Sequence, residues 1–135
     1  MTDPTTGVPR VIYSTPSTAS VAAMARERYD LGDALECHFV NRGFNDTFAL
    51  RAGDRRFVVR LSVRRARGPA DVAAETAFLA YLDAAGVSVA APVPARDGTL
   101  FGSVDAPEGP RPVVVFRTAP GRRPDDHPSL SALGL

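Results

Sequence analysis

Alternating apolar and polar residues predict three consecutive β-strands in the first half of the chain. Over 56–62 an apolar residue stands at every second position, the period of a strand with one buried face. Similar segments at 35–41 and 47–52 precede it, and turns at 43–46 and 53–54 separate the three. Strands joined by such short turns pair antiparallel, so we expect an antiparallel meander.

Apolar residues at helical spacing predict two helices, one on each side of this meander. The first covers about 17–29, where the hydroxyl of Ser17 or Thr18 can cap its start. The second covers about 69–85, where Pro69 suits the first turn and a glycine follows the last. Two further strands are predicted at 99–104 and 113–117, after a proline-rich extended segment.

Helix, three strands, helix and two strands form an α+β layout. We expect one helix packed on an antiparallel sheet of about five strands, with the N-terminal helix beside it. The ordered lobe is predicted at 17–118, with a flexible lead at 1–16 and a weakly organised segment at 119–135 that contains proline. At 135 residues the chain suffices for one domain with a modest core.

Charge and composition exclude several classes of partner. The net charge of +1 argues against a dedicated nucleic-acid binder, and no apolar run approaches the length of a membrane helix. The N-terminus lacks the pattern of a signal peptide, and a single cysteine, Cys37, fits a reducing cytoplasm. All sixteen basic residues are arginine, so any phosphate clamp must use arginine or backbone N–H groups rather than lysine.

The strand at 56–62 and the second helix each carry one residue of opposite charge. Glu75 lies on the apolar stripe of the helix, which is predicted to include Val72 and Phe78, and burying a lone carboxylate costs several kcal/mol. A cation on a strand facing an anion on a helix is the device by which kinase folds hold nucleotide phosphates. Arg60 and Glu75 are therefore predicted to form a phosphate clamp, although Arg60 alone could be an exposed strand arginine.

Two further segments could contact a nucleotide. In the turn at 41–46, Gly43 and Asn45 tolerate backbone conformations that aim N–H groups at phosphate oxygens, although an ordinary hairpin turn explains them too. Phe116 and Arg117 end an apolar strand and could expose backbone groups to an adenine edge, or the strand could simply leave the core. Cys37 and His38 point to opposite faces of a strand and cannot share a metal.

These segments together resemble a known family. The run NRGFNDTFAL at 41–50, followed by GDRRFVVRL at 53–61, is similar to the aminoglycoside phosphotransferase and choline kinase superfamily. Further similarity at 90–93, 97–98 and 108–116 makes it look closest to bacterial homoserine kinase type II and stress response kinase A proteins. The resemblance covers about 13–123 and corresponds to the N-terminal lobe of the protein-kinase-like fold.

The resemblance implies ATP-dependent transfer of a γ-phosphoryl group to a hydroxyl. It implies that Arg60 stands at the position of the phosphate-binding lysine and Glu75 at that of its helix partner. By the same resemblance Gly43 and Asn45 belong to the loop over the phosphates, Val58 lies against the adenine, and Phe116, Arg117 and Ala119 belong to the hinge. Nothing in the sequence resembles the family's catalytic loop, His-Gly-Asp followed by asparagine, or its metal-binding aspartate.

We therefore expect a nucleotide lobe that is inactive alone, with 119–135 as the hinge and truncated start of a missing C-terminal lobe. It should bind ATP, and Mg²⁺ only together with that lobe; no residue of this chain is expected to be catalytic. The expected partners are the nucleotide and either a separately encoded C-terminal lobe or a second copy. The alternative is a non-catalytic protein-binding module that keeps the lobe fold, with a nucleic-acid module as a distant third.

Overall fold

Two helices and five strands make up the computed structural model, which describes residues 15–32, 35–42, 45–62 and 68–118. The predicted lead at 1–16, apart from residues 15 and 16, and the predicted hinge segment at 119–135 lie outside these ranges. The elements are α1 (Thr18–Arg28), β1 (Leu35–Arg42), β2 (Asn45–Ala52), β3 (Arg55–Ser62), α2 (Pro69–Ala84), β4 (Gly102–Val104) and β5 (Arg111–Arg117).

The five strands form one sheet in the order β1-β2-β3-β5-β4, and all neighbouring strands are antiparallel. The predicted meander is its first half, and β5 inserts between β3 and β4. The prediction of an α+β lobe with about five antiparallel strands is confirmed. No helix within the described residues is both long and apolar enough to span a membrane.

Three strand boundaries differ from the sequence prediction by two residues or more. Strand β2 begins at Asn45, because Asn45 and Asp46 pair with the end of β3 instead of forming a turn. Strand β4 starts only at Gly102, since Thr99 donates both its N–H and its hydroxyl to the Asp97 carboxylate and is held in a turn. Strand β5 begins at Arg111, earlier than predicted.

One face of the sheet is covered by α1 and carries the main hydrophobic core. The predicted cap of this helix is Ser17, whose hydroxyl oxygen accepts a hydrogen bond from the Ser20 N–H. Alternate residues of β2, β3 and β5 point to this face and are almost wholly inaccessible to solvent. The buried cluster consists of Val21, Ala25, Tyr29, Leu31, Phe48, Leu50, Phe57, Val59, Leu61, Val113 and Val115.

The other face is covered only in part, by α2, and its core is small. Val72, Val114 and Phe116 are its buried apolar residues. The expectation that Phe78 belongs to the buried stripe of α2 is wrong, because this side chain is 59% exposed. Helix positions differ by about 100° each, so Phe78 points away from the face on which Val72 and Thr76 meet the sheet. The uncovered part of this second face is therefore available for a ligand.

Candidate functional site

Arg60 and Glu75 join β3 to α2 across the second face of the sheet. Arg60 lies in the middle of three strands, opposite Thr47 in β2 and Val114 in β5. Its Nη1 donates to Glu75 Oε2 at 3.0 Å, and its Nη2 donates to Glu75 Oε1. The structure thus brings the two residues together in the bidentate geometry that guanidinium and carboxylate favour.

The two side chains are buried to different degrees. Arg60 is 2% exposed, so the interpretation as a solvated strand arginine is wrong, whereas Glu75 is 24% exposed. The guanidinium carbon of Arg60 lies 5.0 Å from the centre of the Phe116 ring, within the range of a cation–π contact. Solvent therefore reaches this pair mainly from the side of the carboxylate.

One hydrogen-bond donor of Arg60 is not used by the fold. Its Nε–H is buried and has no hydrogen-bond partner among the residues that the structure describes, an arrangement that carries a desolvation penalty. A guanidinium keeps its charge at all physiological pH values, so this donor can be satisfied only by an acceptor such as an anionic oxygen or water. The chemistry of the group suits a phosphate, provided that neighbouring side chains move to admit it.

Val58 lies on the same face of the sheet as Arg60. It precedes Arg60 by two positions in β3 and pairs with Ala49 and Phe116 in the neighbouring strands. Its side chain is half-buried and packs against the small cluster around Val72. A small apolar surface next to a cation is the arrangement that a nucleotide base and its phosphates require.

The end of β5 is only partly available for hydrogen bonds to a ligand. The N–H of Arg117 donates to the carbonyl oxygen of Ala91 at 2.8 Å, so the fold already uses this donor. The Arg117 guanidinium forms an exposed ion pair with Asp83, also at 2.8 Å. Ala119, the remaining predicted hinge residue, lies outside the described residues.

The turn between β1 and β2 is shorter than predicted. Gly43 lies outside the described residues, and Asn45 is the first residue of β2, where it pairs with Ser62. The interpretation of Asn45 and Asp46 as turn residues is therefore wrong. The Oδ1 of Asn45 is nonetheless buried and lacks a hydrogen-bond partner, so it could accept one from a donor near the turn.

A second ion pair, which the sequence analysis missed, lies at the same end of the sheet. Arg111 Nη2 donates to Asp46 Oδ2 at 3.0 Å, and the two side chains are 1% and 0% exposed. Arg111 also donates to the carbonyl oxygens of Ser62, at 3.0 Å, and Leu61, at 3.3 Å. The sequence did contain a signal for this buried arginine. Arg111, Val113 and Val115 stand at every second position of β5, so a strand places all three side chains on the same buried face.

Three ionisable groups elsewhere have displaced pKa values. Burial raises the pKa of the Cys37 thiol, and it raises that of Tyr29 against the opposing effect of Arg28. The hydrogen bonds from Thr99 lower the pKa of Asp97. Within 15–32, 35–42, 45–62 and 68–118, no group of three or more His, Cys, Asp and Glu side chains could hold a metal ion.

Two open clefts, of about 490 and about 500 Å³, border α1 on the first face of the sheet. Neither of these two clefts is lined by Arg60 or Glu75. Recognition of a nucleotide depends on where its charge is neutralised, and Arg60 supplies a buried positive charge outside both clefts.

Sequence comparison places the chain among phosphotransferases. Residues 36–134 match the family model described as "Phosphotransferase enzyme family". An uncharacterized protein of Deinococcus radiodurans is 38% identical over 122 residues, which cover 90% of this chain and 35% of the relative. A homoserine kinase of Azorhizobium caulinodans is 29% identical over 111 residues, covering 82% of this chain and 33% of the relative.

Solved structures share the fold. The microcompartment-associated aminopropanol kinase is 30% identical, with a TM-score of 0.66, over 81% of this chain and 34% of that one. The amicoumacin kinase hAmiN, solved with AMP-PNP, Ca²⁺ and Ami, is 20% identical, with a TM-score of 0.65, over 80% and 33%. The chain thus spans about a third of the length of these proteins. The resemblance found in the sequence is confirmed, and the chain belongs to the phosphotransferase enzyme family.

Proposed function

We propose that this chain is the ATP-binding lobe of a phosphotransferase that acts on a hydroxyl acceptor. The observation that carries the proposal is the bidentate pair of Arg60 and Glu75, which joins the middle strand of the sheet to α2. A permanent cation held at the edge of a small apolar surface supplies what a triphosphate needs, charge neutralisation and directed donors. AMP-PNP in the structure of hAmiN supports the choice of nucleotide.

In this proposal Arg60 binds phosphate oxygens and Glu75 orients it. The free Nε–H of Arg60 is the donor that a phosphate oxygen would satisfy. Because Arg60 is only 2% exposed, access requires the Glu75 carboxylate or the Phe116 ring to move aside. Glu75 is the more accessible of the pair, so we expect the phosphate to approach from its side and to share the guanidinium with it.

The acceptor hydroxyl and the metal would be held elsewhere. Kinase chemistry uses magnesium to neutralise charge on the transferred group and a carboxylate base to position the acceptor. Nothing in this sequence resembles the His-Gly-Asp catalytic loop or the metal-binding aspartate of the family, and we propose that the chain binds ATP without transferring its phosphoryl group. The kinases of homoserine and aminopropanol among the similar proteins favour a small acceptor that carries a hydroxyl.

The test is nucleotide affinity measured by isothermal titration calorimetry with ATP and with adenosine. We expect the wild-type chain to bind ATP, and Arg60→Met to weaken ATP binding at least tenfold while adenosine binding changes little. The matched control is Arg51→Met, which removes an exposed arginine that pairs with Glu36 on the same face. No ATP binding by the wild type, or equal losses in both variants, would refute the nucleotide site.

A second measurement addresses the expected inactivity. The purified chain is incubated with γ-labelled ATP, magnesium and homoserine or aminopropanol, and transfer of label to the acceptor is recorded. We expect no transfer above that of the Arg60→Met variant. Turnover by the chain alone would show that the lobe is catalytically complete and would overturn this part of the proposal.

An exposed apolar surface supports the alternative function, a protein-binding module. Phe78 and Tyr81 on α2 and the nearby Val87 are 59%, 68% and 46% exposed, and such exposed apolar groups often mark interfaces. If this surface serves self-association, sedimentation velocity will show a dimer that Tyr81→Ser converts to monomer. A wild-type chain that stays monomeric over the whole concentration range counts against it.

A further inference from the structure

The first strand, β1, forms one edge of the sheet, and in the described part of the chain no strand pairs with its outer side. We propose that this outer edge is an interface, at which a second copy of the chain adds its own β1 antiparallel and centred on Cys37. The two five-stranded sheets then join into one, which satisfies the unpaired backbone groups of both edges. This inference does not depend on the proposed nucleotide site.

The backbone of β1 provides hydrogen-bonding groups for such a strand. Successive residues of an antiparallel strand direct their N–H and C=O groups to opposite sides, so every second residue of an edge strand points these groups away from its sheet. The ladder of β1 against β2 is regular from Leu35 to Phe39, and its register then shifts at Val40. Residues 35–39 are therefore the straight part of the edge, because a bulge bends the strand that contains it.

The side chains of this straight segment separate by face. On the α1 face, Leu35 and Cys37 are half-buried and Phe39 is 45% exposed. On the other face, Glu36 and His38 are both exposed. The edge thus presents accessible apolar groups on one side of the sheet and ionisable groups on the other.

These five residues are complementary to a second copy of themselves. When two antiparallel strands are centred on Cys37, Leu35 of each copy lies opposite Phe39 of the other. On the second face, Glu36 of each copy lies opposite His38 of the other, and an imidazole donates a hydrogen bond to a carboxylate whether or not it carries a charge. Opposed side chains have Cβ atoms about 4.5–5.5 Å apart and interact directly. Each favourable pair occurs twice, as the two-fold symmetry of a dimer requires.

The contacts of Glu36 within its own chain leave room for this pair. Its carboxylate accepts a hydrogen bond from Arg51 through Oε1, at 2.9 Å, and both side chains are at least half exposed. The other carboxylate oxygen can therefore accept from His38 of the second copy.

Other registers of two antiparallel β1 strands are less favourable. Centring on Glu36 opposes two carboxylates, and centring on His38 opposes two imidazoles. Centring on Phe39 sets Glu36 against Arg42, but the register shift between them places these two side chains on opposite faces. The register centred on Cys37 is therefore the one that the side chains select.

The first test is sedimentation velocity of the whole chain in reducing buffer. We expect a weak dimer, with a dissociation constant on the order of 10–100 μM, because five residues from each copy make a small interface. His38→Glu sets a second carboxylate opposite Glu36 on both sides of the two-fold axis and should weaken the dimer at least tenfold.

Two further variants serve as controls. Glu36→Arg/His38→Glu reverses the order of the charges along the strand, so opposite charges meet again and the dimer should recover. Tyr81→Ser alters the exposed apolar surface of α2 and should leave this dimer unchanged. The changed side chains are exposed, so circular dichroism should show the same fold in all four proteins.

The second test reads the register through disulfide formation. Diamide takes two electrons and two protons from a pair of thiols and leaves a disulfide between them. In the proposed register the two Cys37 residues are directly opposed, which suits a disulfide. In Cys37→Ala/His38→Cys the two thiols are offset along the strands, with Cβ atoms about 7–8 Å apart.

We expect the wild type to cross-link faster than this double variant, when rates are compared per dimer as measured by sedimentation. Exposure alone predicts the reverse order, since position 38 is exposed and Cys37 is half-buried.

Three results would overturn the interface. The wild-type chain could stay monomeric at every concentration reached. A dimer could persist in His38→Glu, or disappear in Tyr81→Ser, and self-association would then belong to another surface. Faster cross-linking of the double variant would show that the copies meet by collision or in another register.

Discussion

Two of the arginine–carboxylate pairs in this lobe have equally buried arginines and carboxylates that differ in exposure. Arg60 and Arg111 are 2% and 1% exposed, but Glu75 is 24% exposed and Asp46 is 0% exposed. Arg111 donates to two carbonyl oxygens as well as to Asp46, whereas the buried Nε–H of Arg60 has no hydrogen-bond partner among the described residues. We call the Asp46 pair closed, because solvent reaches neither side chain, and the Glu75 pair open, because solvent reaches its carboxylate. Within the described residues, the buried Oδ1 of Asp46 also lacks a hydrogen-bond partner.

This difference separates a pair that fixes structure from one that can exchange partners. A carboxylate with some exposure can be hydrated when its arginine turns to another anion, so the cost of the exchange is moderate. A carboxylate without exposure has no such alternative, and the loss of its arginine leaves a buried charge. The open pair is therefore suited to binding, and the closed pair to holding the elements around it.

The largest expected effect comes from breaking the closed pair. Arg111→Met should lower the free energy of unfolding by about 3–5 kcal/mol, because Asp46 stays buried and keeps only the 3.6 Å contact of its Oδ1 with Arg42 Nε. Urea denaturation followed by circular dichroism measures the change. Arg51→Met, which breaks an exposed pair, should cost about 1 kcal/mol or less. Equal losses in the two variants would contradict the assignment of Asp46 and Arg111 as a closed pair.

Breaking the open pair should cost less stability. Arg60→Met should lower the free energy of unfolding by about 1.5–3 kcal/mol, the range for a hydrogen bond to a charged group. The loss is smaller because Glu75 can take up water in place of the guanidinium. The same denaturation experiment checks this. A loss as large as that of Arg111→Met would mean that the pairs do not differ, and the comparison would fail.

The two faces of the sheet should also differ in the reactivity of a thiol. Cys37 is half-buried on the α1 face, and its burial raises the pKa of the thiol, so less thiolate is present near neutral pH. We expect iodoacetamide to alkylate Cys37 slowly. The alkylation rate should still increase with pH above the pH at which the rate for an unperturbed thiol becomes constant. In Cys37→Ala/His38→Cys the thiol moves to the exposed position on the other face and should react faster. Equal rates would show that the faces are equally accessible.

Asp97 provides a third carboxylate, exposed and held by hydrogen bonds from Thr99 instead of by a buried arginine. These bonds lower its pKa, so its contribution to stability is present at neutral pH and is lost as the pH falls through the lowered pKa. Asp97→Asn should reduce the melting temperature slightly at pH 7, the smallest effect of this set. The difference from wild type should vanish in strong acid, and a difference that persists there would assign the effect to something other than ionisation.

The open pair could be predicted from sequence, whereas the closed pair could not. The alternating pattern of β3 predicts the face of the sheet on which Arg60 lies, and helical spacing places Glu75 among apolar residues. A charge at each of these places needs a partner of opposite charge, so the two patterns together predict the pair. Asp46 follows an asparagine and a segment that contains glycine. Residues of these types are common in turns, so the sequence alone favours a turn at this position. Only the register of β2 against β3 shows that it is buried, and register is a property of the assembled sheet.

The buried face of α2 could be predicted from the sequence only in part. Helical spacing correctly located α2 and the side on which Val72 meets the sheet, but it placed Phe78 in the core, where the structure leaves it exposed. Exposing a single apolar side chain costs little free energy, so composition alone does not decide which of two adjacent stripes of a helix is buried. The roles of Gly43 and Ala119 remain predictions, since both lie outside the described residues.

The arginine at position 60 also determines which chemical probes can detect this protein. ATP analogues that carry an acyl phosphate label kinases by transferring their acyl group to a lysine amine near the phosphates, and this chain contains no lysine. A guanidinium does not lose its proton at physiological pH and is a poor nucleophile. A lysine-directed survey of nucleotide-binding proteins would therefore pass over the proposed site.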